Sequence, residues 1–124
     1  MLDYLLFKIN ISLSKMIYSS LEELDTDQLR CWLEVNLSYL KQNVDNIRSI
    51  ISDKQDIISV VKANSYGLGS VAISKFLSSI GIKYFAVATI QEALELRNNG
   101  NIIGEILILG WTPVSQKETF IKFI

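Results

Sequence analysis

The chain has 124 residues, of which 49% are hydrophobic and 20% charged, a composition typical of a globular domain. Its net charge of −1 argues against a nucleic-acid-binding protein, which neutralises phosphates with a basic stripe that is not visible here. Because histidine is absent, serine–histidine–aspartate triads and imidazole-dependent zinc sites are also excluded, and we expect no metal site. The one cysteine, Cys31, cannot form an internal disulfide and indicates a reducing, cytoplasmic environment.

Residues 1–30 are predicted to form an N-terminal extension and linker. Apolar residues recur there at positions compatible with one side of a helix, namely Leu2, Leu5, Leu6, Ile9 and Leu13. Charges interrupt the stretch, which argues against a membrane span, and neither a basic leader nor a cleavage site for a signal peptide is visible. The alternative is an amphipathic segment that contacts a membrane or another domain. A helix start is expected at residues 19–23 and a polar linker at 25–30.

From Cys31 onward, short apolar runs alternate with helical periodicity. Residues 32–37 favour a strand, after which Ser38 is placed to cap a helix. The apolar face predicted for that helix consists of Leu40, Val44, Ile47 and Ile51.

Three further strands, each followed by a helix, are predicted in the rest of the chain. Residues 57–61, 84–88 and 106–109 are nearly continuous apolar runs, which is typical of strands buried on both faces. Residues 64–69 indicate a loop, with Ser70 as the cap of the next helix and Gly81 at its end. A capping box at residues 89–92 begins another helix that Gly100 would end, and Pro113 favours a last helix start.

This alternation predicts an α/β fold with a parallel sheet. Successive strands begin about 22 to 27 residues apart, close to the spacing of about 30 in a (β/α)8 barrel, which needs about 250 residues in all. We therefore interpret residues 31–124 as the first part of such a barrel, incomplete in this chain. A small open α/β sheet is the alternative, since periodicity does not separate the two.

The position of Lys62 indicates a role in catalysis or cofactor binding. It directly follows the most hydrophobic strand, where removal from water favours the neutral, nucleophilic amine that forms Schiff bases. Ligands of parallel α/β folds collect at the carboxyl ends of strands, and the next loop carries Tyr66 and two glycines. The alternative is a lysine that reaches into solvent. A phosphate cradle is disfavoured, because Gly67 and Gly69 lack the spacing of a P-loop.

Residues 60–69, VVKANSYGLG, resemble the cofactor-lysine signature of alanine racemases, AVVKANAYGHG. Further stretches resemble that family in the same order, namely WLEVNL (32–37), FAVA (85–88), EALELR (92–97) and ILILG (106–110). The resemblance covers residues 31–112, so residues 1–30 fall outside it. Within the signature, Ser65 replaces alanine and Leu68 replaces histidine, changes that spare the lysine.

The resemblance implies a racemase that depends on pyridoxal phosphate and interconverts L- and D-alanine, supplying D-alanine for peptidoglycan. Lys62 would hold the cofactor covalently and serve as the base on one face of the substrate carbon. Tyr66 would donate a hydrogen bond to the cofactor phosphate, and Leu109 would line the cofactor pocket. In this family, the second base is a tyrosine of the partner subunit, and it and the arginine facing the pyridine nitrogen come later in the chain. The full-length protein would thus be a homodimer.

Three alternatives remain at this stage. The substrate could be serine instead of alanine, since related racemases share this N-terminal pattern. The chain could be a catalytically silent half-domain that binds pyridoxal phosphate. Another barrel of the same cofactor class, such as a decarboxylase or carrier protein, is disfavoured by the KANSYG stretch. Because three strands leave parallel edges unpaired, we also expect the isolated chain to associate.

Overall fold

A computed structural model describes residues 4–8, 17–19 and 33–121 of the chain. These residues belong to two compact units, Met1–Lys54 and Gln55–Ile124, which are taken in turn. Residues 20–32, which contain Cys31, the expected linker and most of the expected helix start, lie outside the described residues.

The first unit contains a three-stranded antiparallel sheet of order β2-β1-β3. Its strands are β1 (Tyr4–Lys8), β2 (Ile17–Ser19) and β3 (Leu33–Asn36). The helical interpretation of residues 2–13 is therefore wrong for β1. Backbone pairing of β1 with both neighbours decides its conformation, and a short apolar run does not reveal such long-range pairing. The strand expected at residues 32–37 is confirmed as β3, but it pairs with β1 and lies outside the parallel sheet.

Helix α1 (Leu37–Ile50) follows β3 directly. Its cap is Asn36, whose Oδ1 accepts a hydrogen bond of 3.1 Å from the Tyr39 backbone N–H, so the prediction of Ser38 as the cap is wrong. Of the predicted apolar face only Val44 is buried, whereas Ile47 is 43% exposed.

The second unit contains a parallel sheet of order β4-β5-β6, as predicted. Its elements in chain order are β4 (Ile58–Val60), α2 (Lys62–Tyr66), α3 (Ser70–Ser79), β5 (Tyr84–Val87), α4 (Ile90–Gly100), β6 (Glu105–Ile108), a 3-10 turn (Val114–Gln116) and α5 (Lys117–Ile121). The helices and strands alternate as in a (β/α)8 barrel, of which this sheet provides three strands.

The core of this unit lies on one face of the sheet. Phe85 and Val87 of the central strand are fully buried, and so is Leu96 of α4, the helix that contacts α3. Full burial of such side chains contributes about 1.5–3 kcal/mol each. The core also includes a set of side chains from α3 and the loops, namely Val71, Ile73, Leu77, Ile82 and Ile102.

The opposite face of the sheet is half-exposed. Ile58, Val60 and Leu107 are each more than half exposed, at 52%, 51% and 51%. The prediction that β4 and β6 are buried on both faces is therefore wrong for this chain, while it holds for the central strand β5. In a barrel, inward-facing side chains of all eight strands cover one another, and three strands do not close that interior.

The helix ends follow the predictions in part. The capping box of α4 is confirmed, with Thr89 as the cap. Ser70 is the first residue of α3 and not its cap, because Gly69 precedes it with a positive φ. Gly81, at φ 90°, follows the end of α3 as expected. The end of α4 is made by Asn101 at φ 50° and not by Gly100, because the asparagine adopts the left-handed conformation there.

Within the part of the chain that the structure describes, no helix combines the length and hydropathy needed to cross a bilayer.

Candidate active site

Lys62, Ala88 and Leu109 follow the carboxyl ends of the three parallel strands, at the same edge of the sheet. The ladder pairs Val60 with Ala86 and Ala86 with Leu107, and each of the three residues comes two positions after one of these paired residues. The Leu109 N–H donates a hydrogen bond of 2.8 Å to the Val87 carbonyl, which continues the pairing of β5 with β6. The lysine therefore emerges at the edge where parallel α/β folds bind their ligands.

Lys62 is half-buried and opens the helical turn α2. It follows Val61, which is 3% exposed and whose N–H donates a hydrogen bond of 2.8 Å to the Ala86 carbonyl. The backbone just before the lysine is thus fixed to the central strand. Such anchoring restricts where the amine can lie, which a Schiff-base lysine requires.

The residues after Lys62 form a left-handed turn, defined here as residues 63–66. Four consecutive non-glycine residues have positive φ, with values of 51°, 53°, 52° and 54°. Each such residue costs roughly 1–2 kcal/mol when it carries a Cβ, although asparagine tolerates this conformation better. The turn therefore stores strain, and strained backbone clusters at functional sites because surrounding contacts must hold it.

Hydrogen bonds that Asn64 accepts hold the far end of the left-handed turn. The Asn64 carbonyl accepts hydrogen bonds of 3.0 Å from the N–H groups of Gly67 and Gly69. Its side-chain Oδ1 accepts one of 2.9 Å from the Ser70 N–H, the first amide of α3. The asparagine thus joins the turn to the start of the next helix.

The Glu92 carboxylate holds the near end of the left-handed turn. Its Oε1 accepts a hydrogen bond of 2.8 Å from the N–H of Ala63, the residue next to Lys62. Its Oε2 accepts bonds of 2.7 Å from the Ala88 N–H and 3.2 Å from the Thr89 N–H. One side chain therefore connects the turn, the end of β5 and the start of α4.

Of the other two predicted cofactor-binding residues, Leu109 follows β6 at the same edge of the sheet as Lys62 but is separated from it by β5, and Tyr66 ends the helical turn that Lys62 begins. Leu109 is 53% exposed, on the open side of the sheet. Tyr66 ends α2 and is 78% exposed. Both side chains are thus accessible to a ligand, and their contacts with a cofactor stay predictions.

Ser65, which replaces the alanine of the signature, places a hydroxyl group in the protein interior. It is 7% exposed, and its hydroxyl is one of two buried side-chain oxygens without a hydrogen-bond partner among the described residues. A buried hydroxyl without a partner is unfavourable relative to a methyl group.

Gly110 fixes the close approach of β6 to β5 at this edge. A Cβ at this position would lie 2.3 Å from the Ala88 carbonyl oxygen, which is far inside van der Waals contact. The Gly110 N–H instead donates a hydrogen bond of 3.0 Å to that oxygen. The glycine of the ILILG stretch is therefore required by the packing of the two strand ends.

Sequence reasoning identified Lys62 but missed the roles of Asn64 and Glu92. Glu92 was assigned only to the capping box of α4, and its second oxygen reaches a residue 29 positions earlier in the chain. Asparagine at positive φ is common enough to have suggested the turn at residue 64. Nothing in the sequence indicated the same conformation for alanine, serine and tyrosine.

The family model described as "Alanine racemase, N-terminal domain" matches residues 35–123 of the chain. An amino-acid racemase of Enterococcus faecalis is 43% identical over 99 residues, which are 80% of this chain and 14% of that protein. Alanine racemase 2 of Caldanaerobacter subterraneus is 46% identical over 84 residues, 68% of this chain and 21% of that protein.

Solved structures agree with this result. An alanine racemase of Clostridium difficile superposes with a TM-score of 0.67 at 40% identity, over 70% of this chain and 23% of that one. The alanine racemase of E. faecalis gives a TM-score of 0.66 at 30% identity, with 70% and 23% covered. The chain thus spans less than a quarter of each of these relatives. It belongs to the alanine racemase family and corresponds to part of the N-terminal barrel of that family.

Proposed function

We propose that this chain is the cofactor-lysine portion of a pyridoxal-phosphate-dependent amino-acid racemase, with Lys62 as the residue that binds the cofactor. The observation that carries the proposal is the position of this lysine. It lies between the buried Val61 and a strained turn, and the backbone N–H groups of both neighbouring residues, Val61 and Ala63, donate hydrogen bonds to the central strand or to the helix that follows it. Residues 31–124 would form the partial barrel domain and residues 1–30 its extension.

The residues at this edge fit the cofactor. Lys62 offers a half-buried primary amine, which can condense with an aldehyde. Leu109, at the same edge of the sheet, would supply apolar contact to a flat ring, and Tyr66 would donate its hydroxyl hydrogen to the phosphate. When bound, pyridoxal phosphate withdraws electrons from the substrate carbon and so makes its proton removable.

Lys62 would also act as the base on one face of the substrate carbon. Racemisation removes a proton on one face and returns one on the other, so two opposed bases are needed. This chain would supply the first, and a full-length homodimer would supply the second from its partner subunit. Racemase activity is therefore proposed for the assembled homodimer, and the proposed location of that enzyme is the cytoplasm.

Alanine is the proposed substrate, and the supply of D-alanine for peptidoglycan is the proposed role. Relatives named alanine racemase match at 46% identity. Serine is the second candidate, because the name amino-acid racemase, printed for relatives at 43% and 39% identity, does not restrict the substrate to alanine. The second of these matches extends over 98% of this chain, so it includes most of residues 1–30.

A titration with pyridoxal phosphate tests the cofactor role of Lys62. We expect saturable binding, followed by absorbance, that is lost in Lys62→Ala. The matched control is Lys75→Ala, which removes an exposed lysine of α3 and should leave binding unchanged. Equal binding by Lys62→Ala and the unsubstituted chain would remove Lys62 from its role.

A catalytically silent cofactor-binding half-domain is the second candidate function, since Lys62 would bind the cofactor here whereas the second base is expected from a partner subunit. Incubation of the loaded chain with L-alanine or L-serine and chiral separation of the products distinguishes the two. Binding without D-isomer formation supports the half-domain for the chain in isolation. Formation of D-alanine or D-serine identifies the substrate.

A further inference from the structure

The Glu92 carboxylate makes more contacts than helix capping needs. In a capping box, the third helical residue accepts a hydrogen bond from the cap residue's own N–H, here Thr89. Glu92 additionally accepts from Ala88 and, through its other oxygen, from Ala63. The contact with Ala63 contributes nothing to the start of α4, so it calls for a separate explanation.

The location of that additional contact is specific. Ala63 is the first residue of the left-handed turn and the residue bonded to Lys62. It is exposed, so its N–H could bind water in place of Glu92. A hydrogen bond to a charged carboxylate is stronger than one between neutral groups, and two short ones, of 2.8 and 2.7 Å, join Ala63 to Ala88 across the strand ends.

We propose that Glu92 is a positioning residue for Lys62. Its carboxylate clamps the peptide after the lysine to the end of β5, and so sets the direction in which the amine enters the site. The inference rests on the proposed cofactor role of Lys62 and adds to it a residue from the next βα unit. It also explains why the strained turn persists directly beside the lysine.

Glu92→Gln is the substitution that tests the hydrogen bonds of the carboxylate while nearly preserving the size of the side chain. The amide has nearly the shape of the carboxylate but one acceptor oxygen, so its NH2 group must face one of the backbone N–H donors. The probe is pyridoxal phosphate with borohydride, and the readout is the concentration that half-saturates labelling of Lys62, with Lys75 of the same molecule as reference. We expect an increase of about tenfold, the factor for loss of one charge-assisted hydrogen bond.

Two control variants show whether the effect belongs to the clamp. Thr89→Ala removes the hydroxyl that accepts the Glu92 N–H at 3.3 Å but leaves the carboxylate and its contact with Ala63 in place. Glu95→Gln makes the same chemical change at an exposed position of α4. Both should label Lys62 like the unsubstituted chain. An effect of Thr89→Ala as large as that of Glu92→Gln would overturn the proposal, since helix capping would then explain both.

A measurement on the unsubstituted chain keeps the proposal testable if Glu92→Gln does not fold. Hydrogen exchange of the Ala63 amide should be slow, similar to that of Ala88, because one carboxylate holds both. Exchange of Ala63 at the rate of an open loop overturns the clamp. If the unsubstituted chain labels no lysine preferentially, the cofactor role of Lys62 fails. If it labels Lys62 and Glu92→Gln does so equally well, only the clamp fails.

Discussion

After β5 the chain enters α4 through residues 88–89, whereas after β4 it reaches α3 only through residues 61–69. The first connection is regular, with an extended Thr89 and a complete capping box. The second contains the left-handed turn, with positive φ at four non-glycine residues. Both lie at the same edge of one parallel sheet, and similar apolar strands precede them.

The difference shows that the connection after β4 contains backbone strain that the packing of the strands and helices does not require. The connection after β5 demonstrates that two residues suffice between a strand and a helix here. The connection after β4 is instead long, strained and held at both ends, by Glu92 and by Asn64. Strained backbone that surrounding contacts hold in place is expected at functional sites, and this strained turn directly follows Lys62.

The largest effect that tests this comparison is expected from removing the side chain shared by both connections. Glu92→Ala should lower the free energy of unfolding by about 2–3 kcal/mol, because it deletes hydrogen bonds to a charged group. Thr89→Ala, which affects only the connection after β5, should cost about 1 kcal/mol. Urea denaturation followed by circular dichroism measures both. Equal losses would mean that the contact with Ala63 contributes no stability.

Replacing alanine by glycine should change the free energy of unfolding in opposite directions at two positions. Ala63→Gly should stabilise the chain by about 1 kcal/mol, since glycine adopts positive φ without a Cβ penalty. Ala93→Gly, inside α4, should destabilise it by about 1 kcal/mol through backbone entropy. The same denaturation experiment applies. Destabilisation by both variants would contradict the left-handed conformation of residue 63.

The smallest effect is expected at Ser65. Ser65→Ala removes a buried hydroxyl without a partner among the described residues, so it should stabilise the chain by up to about 1 kcal/mol. Ser78→Ala, at an exposed position of α3, is the control and should change stability little. A loss of more than about 1 kcal/mol on Ser65→Ala would indicate that the hydroxyl has a partner after all.

The sequence predicted the parts of the fold that depend on local pattern. The parallel order of β4, β5 and β6, the burial of β5 and the capping box of Thr89 follow from periodicity and from hydrogen bonds between near neighbours. Helix ends were less predictable. Asn36 begins α1 and Asn101 ends α4, whereas the sequence pattern had indicated Ser38 and Gly100.

What depends on distant contacts was not predictable in this way. Strand β1 owes its conformation to pairing with β3, and the left-handed turn is held by a carboxylate from another βα unit. Exposure of β4 and β6 depends on the strands that would close the barrel. Lys62 was identified because its type, its position after an apolar strand and its family motif coincide, whereas Glu92 is an ordinary capping residue in sequence.

The site of covalent attachment tests the central claim most directly. The chain is incubated with limiting pyridoxal phosphate, reduced with borohydride and digested, and the labelled peptides are identified by mass spectrometry. The account predicts that the label lies on the peptide containing Lys62, with little on the exposed lysines such as Lys75. A label spread over the exposed lysines, or concentrated on one of them, would contradict it.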